Sequence, residues 1–238
     1  MMPKGTANAA MDMVRNMLQL LAHGQPRDFN MLYRQRQMQS RPDMHHENCV
    51  VMDFPYEKRN SFYTYLYKRN INKAPIDYLE FGVAGGESFR SWLSLSKHAT
   101  SRFYGFDSFE GLPEDWMADR PKGSFSMEGV APAVDDTRAA FVKGLFQETV
   151  DAFSRSFEAR NKLVLHMDAD LYSSTLYVLM NMNRHIKPGT MIIFDEFSAR
   201  GFTDEYAAME DYCEACCRTY KVVARRSDYV KVAVEIVQ

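Results

Sequence analysis

Acidic residues follow three separate apolar stretches of the sequence, and together they could bind or activate a polar ligand. They are Asp107, Asp168 and the pair Asp195-Glu196. A fourth apolar stretch, residues 76–81, leads into a glycine-rich turn instead. Since the carboxyl ends of parallel strands meet at one edge of a sheet, we expect these groups to share a ligand site.

The carboxylates at these positions could serve acid–base or metal chemistry. A divalent cation lowers the pKa of a bound hydroxyl and positions it for attack, and Mg²⁺ prefers oxygen ligands. We therefore expect Mg²⁺ as a cofactor, held by Asp168, Asp195 and Glu196. The candidates for catalytic residues that move a proton are Asp168, Asp170 and His166.

Two of these catalytic candidates have more than one interpretation. Asp170 could bind the metal, act as the base, or cap a helix that starts near Tyr172 by accepting its free N–H groups. His166 lies inside a predicted strand and could point either into the core or toward the ligand. The sequence leaves open whether Asp168 or Asp170 is the base.

The glycine-rich turn predicts a site for a nucleotide-like cofactor. Glycines let backbone N–H groups approach a ligand closely, and the N-terminus of the helix that follows attracts an anionic group. An acid at the end of the next strand, about 20 residues later, typically hydrogen-bonds ribose hydroxyls. The expected cofactor-binding residues are Glu80, Gly82, Gly85, Gly86, Ser88, Asp107 and Ser108.

Apolar and amphipathic stretches alternate from Ile76 onward, which is typical of a parallel sheet covered by helices. The predicted strands are 76–81, 103–106, 141–145, 162–167 and 191–194, followed by a hairpin over 221–237. The predicted helices are 9–21, 31–38, 56–70, 88–97, 147–157, 174–185 and 204–218. Residues 41–53 are predicted to be a loop, and the long loop 108–134 is expected to be functional.

The composition predicts an ordinary globular protein. The 238 residues carry a net charge of −2, which gives no reason to expect a nucleic-acid partner. No apolar run is long enough to span a membrane, and the N-terminus lacks the compact apolar core of a signal peptide. We therefore expect a cytoplasmic enzyme with no membrane partner. Its expected parts are a helical cover or oligomerisation segment, 1–75, and a ligand-binding domain, 76–238.

Five segments resemble the macrocin and mycinamicin O-methyltransferase family, a branch of the class I S-adenosylmethionine (SAM) methyltransferases. They are the turn 80–86 and the segments 105–113, 168–175, 187–189 and 194–197. The resemblance implies an α/β fold with a Rossmann-like sheet of seven strands, the last one antiparallel, and with helices added at the N-terminus. It also implies SAM as the cofactor and a sugar hydroxyl of a natural product as the acceptor.

The same resemblance carries implications for partners and for the metal. In related methyltransferases the helices before the sheet cover the substrate cleft and join subunits, so we expect a homo-oligomer. The family places its metal ligands at positions that match Asp168, Asp195 and Glu196. Glu196 is a departure, because the family often has a second Asp there.

Other functions remain open on the same residues. The string Asp168-Ala169-Asp170 also matches the metal motif of glycosyltransferases that bind nucleotide sugars, although that reading does not explain the glycine-rich turn. A small-molecule O-methyltransferase of the catechol type is a second alternative. A nicotinamide dehydrogenase would prefer G-x-G-x-x-G, which Val83 and Ala84 break. A non-catalytic binding module would have no need for several carboxylates that repel one another at one edge of the sheet.

Overall fold

The computed structural model describes residues 26–199 and 201–238, and its centre is one sheet of eight strands. The strands are β1 (Val50–Met52), β2 (Ile76–Phe81), β3 (Arg102–Asp107), β4 (Ala139–Lys143), β5 (Lys162–Met167), β6 (Met191–Phe194), β7 (Tyr220–Arg226) and β8 (Val232–Ile236). Their order across the sheet is β1-β7-β8-β6-β5-β2-β3-β4. Strand β8 runs antiparallel to β6 and β7, whereas the other neighbouring pairs are parallel.

Helices cover both faces of this sheet. Within the described residues they are α1 (Pro26–Ser40), α2 (Asn60–Arg69), α3 (Glu87–Leu95), α4 (Phe146–Ser156), α5 (Tyr172–Met182) and α6 (Asp204–Ala215). Two short 3₁₀ turns, Pro42–Met44 and Tyr56–Lys58, precede β1 and α2. None of the helices in this part of the chain is long and apolar enough to cross a membrane.

The central strands are buried on both faces, and apolar residues fill most of their positions. All residues of β2 and of β6 are buried, which is the usual state of a parallel strand between two helical layers. One core forms against α4, α5 and α6 and includes Val150, Leu179 and Met209. A second core forms on the opposite face, where Phe62 of α2 and Trp92 of α3 pack.

The predicted α/β fold with an inserted antiparallel last strand is confirmed, but the sheet has eight strands and not seven. The extra strand is β1, within a segment predicted to be a loop; it pairs with β7 and lies at the edge of the sheet. A strand of three residues is too short to show an alternation of apolar and polar residues in the sequence. The predicted helix 9–21 lies outside the described residues.

Candidate active site

A cavity of about 230 Å³ lies at the carboxyl edge of the sheet. The loops after β2, β3, β5 and β6 all contribute to its lining, as does the segment 144–147 before and within α4. The long loop 108–134 supplies further lining residues, among them Leu112, Trp116 and Phe125. The topology therefore brings the four strand ends that carry the sequence motifs to one cavity.

The predicted site residues divide into two groups of six. Those that line the cavity are Gly82, Asp107, Ser108, Asp168, Asp170 and Glu196. Those that do not line it are Glu80, Gly85, Gly86, Ser88, His166 and Asp195. The residues of the second group were expected to contact a ligand directly, but they do not line the cavity. Most of their polar side chains bind one another beneath it.

Gly82 occupies a position that only glycine fits. Its φ is +93°, and a Cβ atom there would lie 1.8 Å from the backbone carbonyl oxygen of Asp168. Side chains rarely adopt such a φ. The backbone N–H of Gly82 donates to the carbonyl oxygen of Phe106 at 2.9 Å. The turn after β2 is thus packed between the end of β3 and the loop that follows β5.

Asp107 holds this turn through its carboxylate. Oδ2 accepts hydrogen bonds from the backbone N–H groups of Val83 and Ala84, at 2.8 and 2.7 Å. Oδ1 accepts a third bond from the N–H of Phe109 at 2.7 Å. The side chain also lines the cavity. It therefore orders two loops of the site, a role that the sequence analysis did not assign to it.

Glu80 is fully buried and binds protein groups beneath the turn. Its carboxylate accepts hydrogen bonds from the hydroxyl of Tyr78 and from Ser88 Oγ, the latter at 2.6 Å. His166 Nδ1 lies 3.7 Å from the same carboxylate. Burial raises the pKa of Glu80 to about 7, although His166 opposes the shift. Glu80 and Ser88 thus connect β2 to the first turn of α3.

His166 points into the core and not toward the ligand, which is the first of the two interpretations of its position. Its side chain is fully buried. Nδ1 lies 2.6 Å from the hydroxyl oxygen of Tyr78, and Nε2 lies 2.8 Å from Asp195 Oδ1. Because both ring nitrogens have protein partners, the geometry does not favour His166 as a base for a ligand in the cavity.

Asp195 is surrounded by donors. Besides His166, the hydroxyl of Tyr63 donates to its two carboxylate oxygens at 3.2 and 3.1 Å. The ammonium group of Lys231 forms an ion pair with Oδ2. Burial alone would raise the pKa of Asp195, but Lys231 and His166 outweigh it and hold the pKa below its usual range.

Three other acidic groups that line the cavity, Asp168, Asp170 and Glu196, have pKa values shifted upward. Burial, together with repulsion from Asp195, raises the pKa of Asp168. Burial and repulsion from Asp168 raise the pKa of Asp170, which is a non-glycine residue with a φ of +60°. Burial and repulsion from Asp195 raise the pKa of Glu196 to about 7. The cavity edge is therefore rich in carboxyl groups that hold protons unusually tightly.

The predicted metal site does not assemble from Asp168, Asp195 and Glu196. Lys231, Tyr63 and His166 occupy the oxygens of Asp195. Across residues 26–199 and 201–238, no group of three or more His, Cys, Asp or Glu side chains is arranged to hold a metal ion. The residues present thus do not fit the three-carboxylate site that the sequence predicts.

The capping interpretation of Asp170 is wrong. Helix α5 begins at Tyr172, its N-cap is Leu171, and no side chain makes a capping hydrogen bond there. Asp170 instead lines the cavity beside Asp168. Its remaining interpretations both concern a ligand in that cavity.

Two charged residues of this region were missed in the sequence. Lys231, which is fully buried, precedes β8. Glu205, in the first turn of α6, is also fully buried and accepts hydrogen bonds from the backbone N–H groups of Ala169 and Glu196, at 3.2 and 3.1 Å. Burial, followed by repulsion from Asp168, raises the pKa of Glu205. For Lys231, the one local signal in the sequence was its place at the start of an apolar strand. The sequence held no local signal that Glu205 would be buried at this site.

Comparisons with known proteins agree with the architecture. The family profile described as Macrocin-O-methyltransferase matches residues 57–217. A curated relative from Streptomyces olivaceus is 30% identical over 154 residues, and it is named "8-demethyl-8-(2,3-dimethoxy-alpha-L-rhamnosyl)-tetracenomycin-C 4'-O-methyltransferase". That match covers 58% of this chain and 58% of the relative, which is less than two thirds of its length.

Two solved structures share the fold. The calicheamicin methyltransferase CalS11 aligns with a TM-score of 0.61 at 17% identity, over 90% of this chain and 94% of that one. The O-methyltransferase NovP aligns with a TM-score of 0.55 at 23% identity, over 76% of this chain and 80% of that one. At these identities the likeness concerns the arrangement of strands and helices.

Proposed function

The chain belongs to the macrocin O-methyltransferase family, and we propose that it transfers a methyl group from SAM to a hydroxyl of a sugar-bearing small molecule. The observation that carries this proposal is the cavity at the carboxyl edge of the sheet. There the glycine turn and Asp107 lie beside two cavity-lining carboxylates, Asp168 and Asp170. Groups suited to a nucleoside and groups suited to a proton transfer thus line the same cavity.

The residues present fit SAM. When bound, SAM supplies an electrophilic methyl group on its sulfonium. The turn at Gly82 and Ala84 brings backbone to the cavity without bulk, and Asp107 keeps that turn in place. Asp107 retains carboxylate lone pairs for ribose hydroxyls, since each oxygen can accept more than one bond. Gly144 and Leu145 also line the cavity, and we assign them to the adenine because the family resemblance implies that the segment 143–146 covers it.

Asp168 and Asp170 are the groups that we assign to the acceptor hydroxyl. Both side chains line the cavity, and each has a raised pKa. A carboxylate whose pKa lies near neutrality, as that of Asp168 does at about 7, is a stronger general base than an ordinary exposed one, whereas Asp170, with a pKa of about 9, holds its proton at neutral pH. One of the pair accepts the hydroxyl proton in this proposal, and the other orients the hydroxyl.

Dependence on Mg²⁺ stays a prediction of the sequence, and the contacts do not favour it. A hard cation needs several free oxygen ligands. Asp195, the central member of the predicted set, is bound to Lys231 instead. We therefore assign no step of the reaction to a metal.

The acceptor that we propose is a glycoside with an apolar body. The relative from Streptomyces olivaceus is named for methylating a rhamnosyl derivative of a polyketide. In this chain the loop 108–134 lines the cavity with Leu112, Trp116 and Phe125, and Phe125 is 50% exposed. Such a surface suits an apolar aglycone next to a polar sugar. A homo-oligomer and a cytoplasmic location stay predictions.

A methyl-transfer screen tests the proposed function. Purified protein would be incubated with methyl-labelled SAM and a panel of rhamnosides, other glycosides, nucleotide sugars and catechols. We expect label in an O-methyl group of a glycoside, and none in catechols. Label found only in catechols would mean that the acceptor is a catechol and not a glycoside. Transfer of a sugar from a nucleotide sugar would favour the glycosyltransferase alternative instead.

A further inference from the structure

We propose that the ammonium group of Lys231 takes the place of a divalent cation among the acidic strand ends, so that this protein binds no metal there. This proposal rests on the proposed function in one respect, because it takes the carboxyl edge of the sheet to be a methyl-transfer site. Lys231 does not line the cavity. It acts through the carboxylates around it, and it is therefore a positioning residue.

The sheet topology delivers Lys231 to this position. Strand β8 inserts between β6 and β7, and Val232 pairs with Phe194 in the antiparallel register. The residue before Val232 must then meet the residue after Phe194, and these are Lys231 and Asp195. Their side chains form an ion pair in which both partners are nearly or fully buried. An antiparallel last strand thus carries a cation to the edge where the parallel strands carry acids.

Lys231 is the shared neighbour of the predicted metal ligands. It contacts Asp195 directly, and its charge attracts the carboxylates of Asp168 and Glu196. Those three residues are the set that the sequence assigns to Mg²⁺. A buried positive charge beside them compensates their repulsion, which is the electrostatic task that a bound cation would otherwise perform.

The surroundings of the ammonium suit a lysine better than a hydrated metal ion. The Nζ atom lies 5.6 Å from the centre of the Tyr56 ring and 5.9 Å from that of the Tyr63 ring. Aromatic faces attract an ammonium group, whereas Mg²⁺ requires oxygen ligands and retains waters. A divalent cation next to Lys231 would also be repelled by it.

Calorimetric titration of the full chain with Mg²⁺ and with Mn²⁺ tests this proposal. We expect no saturable binding to the wild type, with or without SAM present. Lys231→Ala frees Asp195, and we expect this variant to gain saturable binding of Mg²⁺. Lys231→Arg keeps a positive charge and should bind no metal. Lys221→Ala, on the exposed lysine of β7 that pairs with Glu235, is the matched control.

The wild-type titration decides the proposal even if Lys231→Ala fails to fold. Saturable binding of Mg²⁺ or Mn²⁺ by the wild type would overturn it, as would full methyl transfer that stops when the metal is chelated. Failure of the proposed function has a different signature. In that case the protein would transfer no methyl group and bind no SAM, whatever the result of the metal titration.

Discussion

The α-carbon of Gly82 packs against the backbone carbonyl of Asp168 so closely that a Cβ atom would come within 1.8 Å of its oxygen. This contact joins the turn assigned to the cofactor to the residue assigned to the acceptor hydroxyl. Reactions between two bound groups depend on their alignment. The spacing between the cofactor turn and Asp168 is therefore set by backbone packing as well as by side chains.

Gly82→Ala should lower both stability and SAM affinity. The substitution forces a Cβ into the Asp168 carbonyl at a φ of +93°, and we expect it to lower the free energy of unfolding by at least about 2 kcal/mol. Gly85→Ala is the matched control, because its Cβ would meet only the Met127 side chain at 3.9 Å. Urea denaturation of both variants provides the measurement. Equal stability of the two variants would contradict the packing argument.

Asp107→Ala should weaken SAM binding by roughly 1–3 kcal/mol. The substitution removes the acceptor for three backbone N–H groups, those of Val83, Ala84 and Phe109. It also removes the carboxylate that we assign to the ribose. Titration calorimetry with SAM measures the loss, and Glu110→Gln on the neighbouring exposed loop acid is the control. Unchanged affinity in Asp107→Ala would show that the strand end is not part of the cofactor site.

Glu80 should make stability fall as the pH rises. Its pKa is raised from 4.5 to about 7 in the folded protein, so the folded state binds this proton more tightly than the unfolded state. The resulting stabilisation is fully present below the unfolded pKa and is lost as the pH rises through about 7. Its size is roughly 3 kcal/mol, because a tenfold change in proton affinity corresponds to about 1.4 kcal/mol.

Glu80→Gln removes this titration and provides the check. The unfolding free energy of the wild type, relative to Glu80→Gln, should fall between about pH 5 and about pH 8. The exposed acid Glu158 offers a control, Glu158→Gln, which should track the wild type. Parallel pH curves for the wild type and Glu80→Gln would mean that Glu80 ionises normally in the fold.

Asp168→Asn and Asp170→Asn should separate catalysis from cofactor binding. Both residues line the cavity near the proposed acceptor position. The variant that removes the base should lose about 100-fold or more in kcat/KM, while SAM affinity persists because the glycine turn and Asp107 are intact. Asp151→Asn, on the exposed face of α4, is a carboxylate-to-amide control. Wild-type rates in both cavity variants would place the base elsewhere.

The strand ends could be predicted from the sequence because their signals are local. An apolar run that ends in Asp107 or Asp168 shows both the strand and the position of its polar group. The sheet then brings these ends together by a general rule of parallel topology. Gly82 could be recognised as part of a tight turn, although its contact with the Asp168 carbonyl depends on residues far away in the chain.

The partners of Asp195 could not be predicted, because they come from distant segments. Tyr63 lies in α2, before β2, and Lys231 enters with the antiparallel strand β8. The sequence shows Asp195 and Glu196 as free acids, so it favours a metal site. Glu205 illustrates the same limit, since its acceptor role depends on where α6 begins relative to two loops.

The central claim, that the cavity binds SAM, is tested most directly by titrating the wild-type protein in parallel with SAM, a UDP-sugar and NAD. The cavity geometry predicts saturable binding of SAM at one site per chain and no saturable binding of the other two. The glycine turn and Asp107 are the groups on which this result depends. Saturable binding of the UDP-sugar or of NAD, with none of SAM, would contradict it.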